Sequence, residues 1–203
     1  MNKKIRIRDK KELEDRKNSF LEICNILDEL NVRYFIQGGT LLGAKRDKRF
    51  IEWDWDVEIS LFNEDLNNNF EKIIFHLIKN NFEIFSCRKT KLDSKIDVYK
   101  NYSIDVTGYT LFGWTHDKNN KQYFRNKISF PDFFLEKFGT IEFYGKKFNT
   151  PNPIEDYLTF QYGDWKIRKR TDEKSYYMTS KFYKRDNFFL RSLKKIFNII
   201  KNF

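Results

Sequence analysis

The sequence predicts an α+β fold: a small mixed sheet flanked by helices, with additional helices toward the C-terminus. Three observations predict it. Segments with helical spacing and segments with strand alternation are mixed along the chain rather than strictly alternating. The 203 residues are 40% hydrophobic and 33% charged, which suits one well-filled core. No internal repeat and no Pro/Gly/Ser-rich linker divides the chain, so residues 1–187 read as a single domain. Residues 188–203 form a basic amphipathic helix, either part of that domain or lying on a membrane.

Each element follows from local pattern. Leu13, Phe20, Cys24, Leu27 and Leu30 recur at helical spacing, giving a first helix over 10–30 that stops at Asn31. Arg33 to Gln37 alternates as a strand and breaks at Gly38-Gly39, and Thr40 to Lys45 opens a short helix on a hydroxyl cap. Glu52 to Leu61 reads as a second strand. Asn63 starts a helix to Asn80, with Phe70, Ile73, Ile74, Leu77 and Ile78 on its buried side. Strands are expected at 82–86, 96–100 and 103–110, then a polar loop over 115–120. Ile141 to Phe148 reads as a hairpin turning at Gly145-Lys146 as type II′. Asn152-Pro153-Ile154-Glu155 reads as cap, first-turn proline and capping-box acid of a helix ending at Gly163.

Composition narrows the function classes. The formal net charge is +10, which points to an anionic partner or to a Lys- and Asn-rich codon bias. No helix-turn-helix, zinc-finger or RNP-like pattern is present, which argues against nucleic acid. The two cysteines, Cys24 and Cys87, have no metal spacing and suit a reducing compartment. The basic N-terminal stretch lacks the apolar run of a signal peptide, and no apolar run is long enough to span a bilayer. A cytoplasmic location is expected, with the inner membrane face open to the C-terminal helix.

The chemistry is concentrated between Ile36 and Ser60. In strand geometry Asp54, Asp56 and Glu58 share one face, while Trp53, Trp55, Val57 and Ile59 share the other and pack on the core. Adjacent carboxylates repel each other. A divalent cation relieves that repulsion, and magnesium, with manganese as the alternative, takes such hard oxygen ligands. The competing reading is a solvated acidic strand face. Just upstream, Gly38-Gly39-Thr40 forms a strand-to-helix turn whose amides can approach a phosphate. Lys45, Arg46 and Arg49 lie between the two motifs and can clamp phosphate charge, or form an ordinary solvated loop. A further carboxylate is expected from a neighbouring strand. Asp105 in Ser-Ile-Asp-Val-Thr is the first candidate and Asp97 in Lys-Ile-Asp-Val-Tyr the second, as metal ligand or proton acceptor. His76 and His116 share no metal spacing and receive no role.

Together these segments resemble the LicD/fukutin family of the nucleotidyltransferase superfamily, with its polymerase-β-like fold. The family pattern G-T-L-L-G followed by F-I-P-W-D-D-D-I-D-I is similar to Gly39 through Gly43, Phe50-Ile51 and Trp53 through Ile59. Ile104-Asp105-Val106, Pro151-Asn152-Pro153 with Tyr157-Leu158, and Tyr162-Gly163-Asp164-Trp165 resemble its later segments. The match spans about 34–165. The resemblance implies transfer of phosphocholine, ribitol phosphate or a related alcohol phosphate from a CDP-activated donor to a hydroxyl of a surface glycan, which can be lipid-linked. It implies Asp56 and Glu58 as paired metal ligands, Asp54 as the extra acid of the run and Asp105 as the third carboxylate. It places Gly38, Gly39 and Thr40 at the donor phosphates. The chain departs from the pattern at Trp55, where an acid or His is common, at Glu58, where Asp is usual, and at Glu52, where Pro is common. It also lacks the proline usual after Trp165. Two other functions fit the composition: transfer of a nucleotidyl group by the same fold, and a basic nucleic-acid or membrane-binding module without catalysis.

Overall fold

The computed structural model describes residues 6–100, 108–126 and 128–169. A capping box between Asp9 and Glu12 opens α1 (Lys10–Glu29), whose buried stripe is Phe20, Ile23, Cys24, Ile26 and Leu27. β1 (Tyr34–Phe35), α2 (Gly38–Leu42) and a π-helical turn over Gly43–Asp47 follow. Next come β2 (Val57–Phe62), α3 (Asn63–Asn68), α4 (Phe70–Lys79), β3 (Glu83–Arg88) and β4 (Lys95–Tyr99). The rest is β5 (Tyr109–Asp117), β6 (Gln122–Arg125), β7 (Ile128–Pro131), α5 (Phe133–Glu136), β8 (Gly139–Phe143), β9 (Lys146–Thr150) and α6 (Ile154–Tyr162). The result is the mixed α+β architecture expected.

The main sheet runs β1-β2-β5-β4-β3, and the far half of β5 also carries β6, which pairs β7. Among the described residues only β2 and β5 pair in parallel, with Val57 opposite Tyr109 and Glu58 opposite Thr110. Strand alternation then defines two faces. Val57, Ile59, Leu61, Leu111, Ile96 and Val98 are fully buried on one. The Tyr109 hydroxyl donates to the Arg16 carbonyl at 3.3 Å, which seats α1 over this face. On the other face Trp114 Nε1 donates to Ser60 Oγ at 3.2 Å, Phe130 meets Trp114 edge-on at 4.7 Å, and Tyr157 of α6 meets Phe130 at 5.6 Å. The β8–β9 hairpin completes the core by placing Phe143 and Phe148 against Phe20 of α1. Gly113 lets α3 approach β5, since a Cβ there would lie 2.4 Å from Asn63 Oδ1.

Several sequence expectations shift. The second strand starts at Val57, not Glu52, because Glu52 and Trp53 form a turn and residues 54–56 follow it without regular structure. Trp55 is therefore 64% exposed and not on the core face; Trp53 is only partly buried. The helix expected over 63–80 is broken at Asn69, and Ile78 is exposed. β5 runs through to Asp117, so the polar loop is shorter than expected. The hairpin turns at Tyr144-Gly145, both with positive φ (52° and 77°), which is the type I′ pattern rather than II′. Asn152 makes no capping bond; Pro153 precedes the first residue of α6, and Gly163 at φ 66° ends the helix. Asp105 and residues 188–203 lie outside the described residues. No helix among the described residues is long and apolar enough to cross a membrane.

Candidate active site

The acidic run occupies a turn leading into β2, and α1 fixes that turn from behind. Arg16, nearly buried, donates from Nη2 to the Asp54 carbonyl at 2.9 Å, and Arg8 reaches the Trp55 carbonyl at 3.5 Å. The Asp54 amide donates to the Ile51 carbonyl at 3.1 Å, and its own Oδ1 accepts the Trp55 amide at 3.0 Å. Val57 then enters the sheet by donating to the Gly108 carbonyl at 3.1 Å. Two cationic side chains bonded to main-chain carbonyls hold the turn, and their charge partly offsets the nearby carboxylates.

The glycine turn fits against these acids. Gly38 has φ 60°, a region that disfavours side chains, and a Cβ on it would lie 2.8 Å from Glu58 Oε2. A Cβ on Gly39 would lie 2.2 Å from Asp54 Oδ2. Thr40 Oγ1 donates to the Glu58 carbonyl at 3.3 Å, binding α2 to β2. Gly38, Gly39, Thr40, Asp54 and Glu58 are thus brought together by close approach that only glycine allows. From the far side of the chain, the Tyr157 hydroxyl of α6 donates to Gln37 Oε1 at 2.6 Å and braces the residue before the turn.

The acids are crowded and partly desolvated, which disfavours their charged forms. Burial and then the neighbouring Asp56 push Glu58 up to about 7, with Arg125 opposing. Burial and Asp56 likewise push Asp54 up to about 6. Asp56 is raised by the crowding of protein around it, offset by Arg16, Arg125 and Lys95, yet its side chain still reaches solvent. The raised values come first from burial and, for Asp54 and Glu58, then from repulsion by the neighbouring acid, which the nearby cations only partly offset. Arg125 of β6 is the nearest cation to Glu58, with Nη2 3.5 Å from Oε1. Its guanidinium lies 3.5 Å above the Phe112 ring, and its buried Nε has no hydrogen-bond partner.

Asp97 is in the same sheet row, since Glu58 pairs Thr110 and Thr110 pairs Asp97. Burial would raise it, but Lys95 at 2.8 Å, Ser86 Oγ at 2.6 Å and Thr110 Oγ1 at 2.8 Å outweigh burial and hold it below the usual carboxylate range. Lys45 and Arg46 turn away from the acids: Lys45 pairs Glu155 at 3.0 Å, while Arg46 pairs Asp47 at 2.9 Å and donates to the Trp165 carbonyl at 3.3 Å. Arg49 pairs Glu52 at 2.6 Å. Among the described residues no three His, Cys, Asp or Glu side chains are grouped so as to hold a metal ion. The chemistry of the acids present nevertheless suits a hard cation that takes one or two protein carboxylates and fills its remaining positions with water and phosphate. Sequence reasoning missed Arg8, Arg16 and Arg125. Arg8 and Arg16 sit in the N-terminal segment and Arg125 in a hairpin 67 residues beyond Glu58, and none has a local signature.

Comparison with known proteins adds an independent line. Residues 31–153, more than half the chain, match the family model described as LicD/FKTN/FKRP, nucleotidyltransferase domain. The ribitol 5-phosphate transferase FKRP of Homo sapiens is 41% identical over 46 residues, 23% of this chain and 9% of that protein. The ribitol-5-phosphate transferase FKTN of Homo sapiens is 28% identical over 156 residues, 71% of this chain and 32% of that protein. The uncharacterized protein RP689 of Rickettsia prowazekii is 31% identical over 147 residues, 69% of this chain and 51% of that protein. The chain therefore spans about half or less of the length of these relatives.

Proposed function

The chain belongs to the LicD/FKTN/FKRP family, and from that premise we propose that it transfers an alcohol phosphate from a CDP-activated donor to a hydroxyl of a glycan, using magnesium or manganese. Relatives named as ribitol 5-phosphate transferases support the class of reaction. The observation that carries the proposal is the contact of the Gly38-Gly39 turn with the carboxylates of Asp54 and Glu58. That contact supports a reading in which the turn's amides meet phosphate beside a crowded group of acids.

Asp56 and Glu58, with Asp54 beside them and Asp105 from the segment leading into β5, would hold the metal. When bound, the metal supplies positive charge that offsets phosphate charge and polarises the phosphoryl oxygens. The chain's own groups do the rest. Amides of the Gly38–Thr40 turn face the donor phosphates. Arg125, only loosely engaged with Glu58, has donor capacity left for a phosphate oxygen. The glycan hydroxyl oxygen forms a bond to the phosphorus that carries the alcohol, the bridging P–O bond breaks, and CMP leaves with the electron pair. A carboxylate takes the hydroxyl proton. Asp97 is poorly suited to that task because three partners already occupy its oxygens, which favours Asp105. Lys45 and Arg46 join the phosphate clamp only by leaving their ion pairs with Glu155 and Asp47.

The test is incubation of the full chain with CDP-ribitol, CDP-choline, CDP-glycerol and each NTP, with magnesium, manganese or chelator. Metal-dependent CMP release from a CDP-alcohol, raised by a glycan acceptor, is expected. Pyrophosphate release from an NTP would reassign the activity to nucleotidyl transfer, and release of neither product would refute the proposal.

A further inference from the structure

At the opposite end of β2 from the acidic turn lies a second concavity of about 570 Å³, which the proposed chemistry does not use. Phe62 ends β2 and lines it, four residues beyond Glu58, so it lies about 13 Å along the strand from that carboxylate. Whatever binds here is not the reacting group.

The lining groups specify a ligand class. Arg33 contributes little free charge, because it forms two bonds to Asp65 at 2.8 and 3.2 Å and stacks over Phe62. Lys91 and Lys118 also line the cavity, and neither forms an ion pair among the described residues. They face one lining acid, Glu64. The Asn68 side chain in the wall makes no hydrogen bond among the described residues, leaving two donors and an acceptor available. His116 and Tyr123 stack at 4.6 Å and 16°, with His116 Nε2 held 2.9 Å from Asp132, and Tyr123 stacks in turn on Phe130. This platform is held on several sides, so a ligand does not have to order it.

The cavity therefore combines an aromatic wall for a ring's apolar face, an unused amide for hydroxyls and two unpaired ammonium groups for negative charge. Its volume suits one or two sugar or polyol units and far exceeds a phosphate ion. We infer that this cavity binds an anionic unit of the acceptor glycan, a phosphate-bearing sugar or polyol, some distance along the chain from the hydroxyl that reacts. This rests on the transferase reading above. An enzyme acting on a polymer gains affinity by holding units that do not react, provided both sites engage at once.

The test measures binding directly with the full chain by calorimetry. The probes are a ribitol-phosphate trimer, neutral maltotriose, inorganic phosphate and a single-stranded RNA hexamer. The variants are Lys91→Gln/Lys118→Gln, two side chains in no ion pair, and His116→Ala. The trimer is expected to bind wild type, to weaken about tenfold or more in the double lysine variant and several-fold in His116→Ala, and to weaken with salt. CDP-ribitol affinity should be unchanged in all variants. Equal trimer binding in the lysine variant, maltotriose binding as tight as the trimer, or inorganic phosphate as effective as the trimer would each overturn the inference. RNA binding that is tighter than the trimer and lost in the lysine variant would overturn it in favour of a nucleic-acid surface. CMP release, scored separately, shows whether the transferase reading itself has failed: its absence alongside lysine-dependent trimer binding would leave a glycan site without that reaction.

Discussion

Glu58 and Asp97 occupy the same row of one sheet, separated only by Thr110, yet their surroundings differ in kind. Asp97 has a lysine and two hydroxyls on its oxygens and is held below the usual carboxylate range. Glu58 has crowding, two acidic neighbours and one arginine at 3.5 Å, and is pushed up to about 7. Asp97 is a finished structural site. Glu58 and its neighbours are an arrangement that costs stability until a cation or another positive group arrives. Both acids sit in strand patterns; what separates them is the set of partners that folding brings to each.

The largest effect that can break this contrast is on turnover. Asp56→Asn should lower metal-dependent CMP release on the order of a thousandfold while leaving the circular dichroism spectrum and melting temperature nearly unchanged. Near-normal turnover would remove the acidic run from catalysis. Next is Gly39→Ala, whose Cβ would meet Asp54 Oδ2 at 2.2 Å and push that carboxylate aside. Turnover should fall roughly a hundredfold, with a smaller effect on stability because a side-chain tip can yield. Asp97→Asn should show the opposite balance: activity within a few-fold of wild type, but a stability loss of about 1–2 kcal/mol in denaturant melts. A stable, inactive Asp97→Asn protein would exchange the roles of Asp97 and Asp105.

The smallest effect is on the pH profile of stability in chelator. Glu58 and Asp54 have folded values of about 7 and about 6, above the ordinary 4.5 and 3.8. The folded chain therefore keeps protons that the unfolded chain has already released. Their stabilising contribution is present below about pH 4 and is lost as pH rises through 6 and 7. Asp97 works in the other sense, contributing above its ordinary value and losing that contribution as pH falls. Thermal melts from pH 4.5 to 8 should decline more steeply for wild type than for Glu58→Gln, and magnesium should remove much of the difference. Parallel profiles would show that Glu58 is not in the crowded state described.

Much of the site was legible because its pieces lie within 25 residues. The Gly-Gly-Thr turn and the Asp-x-Asp-x-Glu run are local patterns, and alternation grouped Asp54, Asp56 and Glu58, which the fold brings near one another. It did so for an incomplete reason: only Glu58 lies in β2, and the two aspartates are gathered by a turn held by Arg16 and Arg8. The same local logic put Trp55 on the core, whereas it is exposed, because alternation does not apply in a turn. Arg125 could not be read at all. It reaches Glu58 only because β6 folds back on the far half of β5, a pairing set by tertiary packing with no short-range signal. The hairpin turn shifted for a related reason: Tyr144 takes a positive φ that its sequence gives no cause to expect, while its ring packs against Phe50 and Phe143.

The parallel pairing of β2 with β5 also bears on how the protein is made. A growing chain exposes the β5-side edge of β2 about fifty residues before β5 has been synthesised, and loop closure of that length delays docking. During that wait Val57, Ile59 and Leu61 form an apolar edge capable of joining other nascent chains. Glu58 within β2, with Asp56 just before it, adds charge to that edge and discourages such pairing. Acids that crowd together in the finished protein thus also discourage mispairing in the unfinished one.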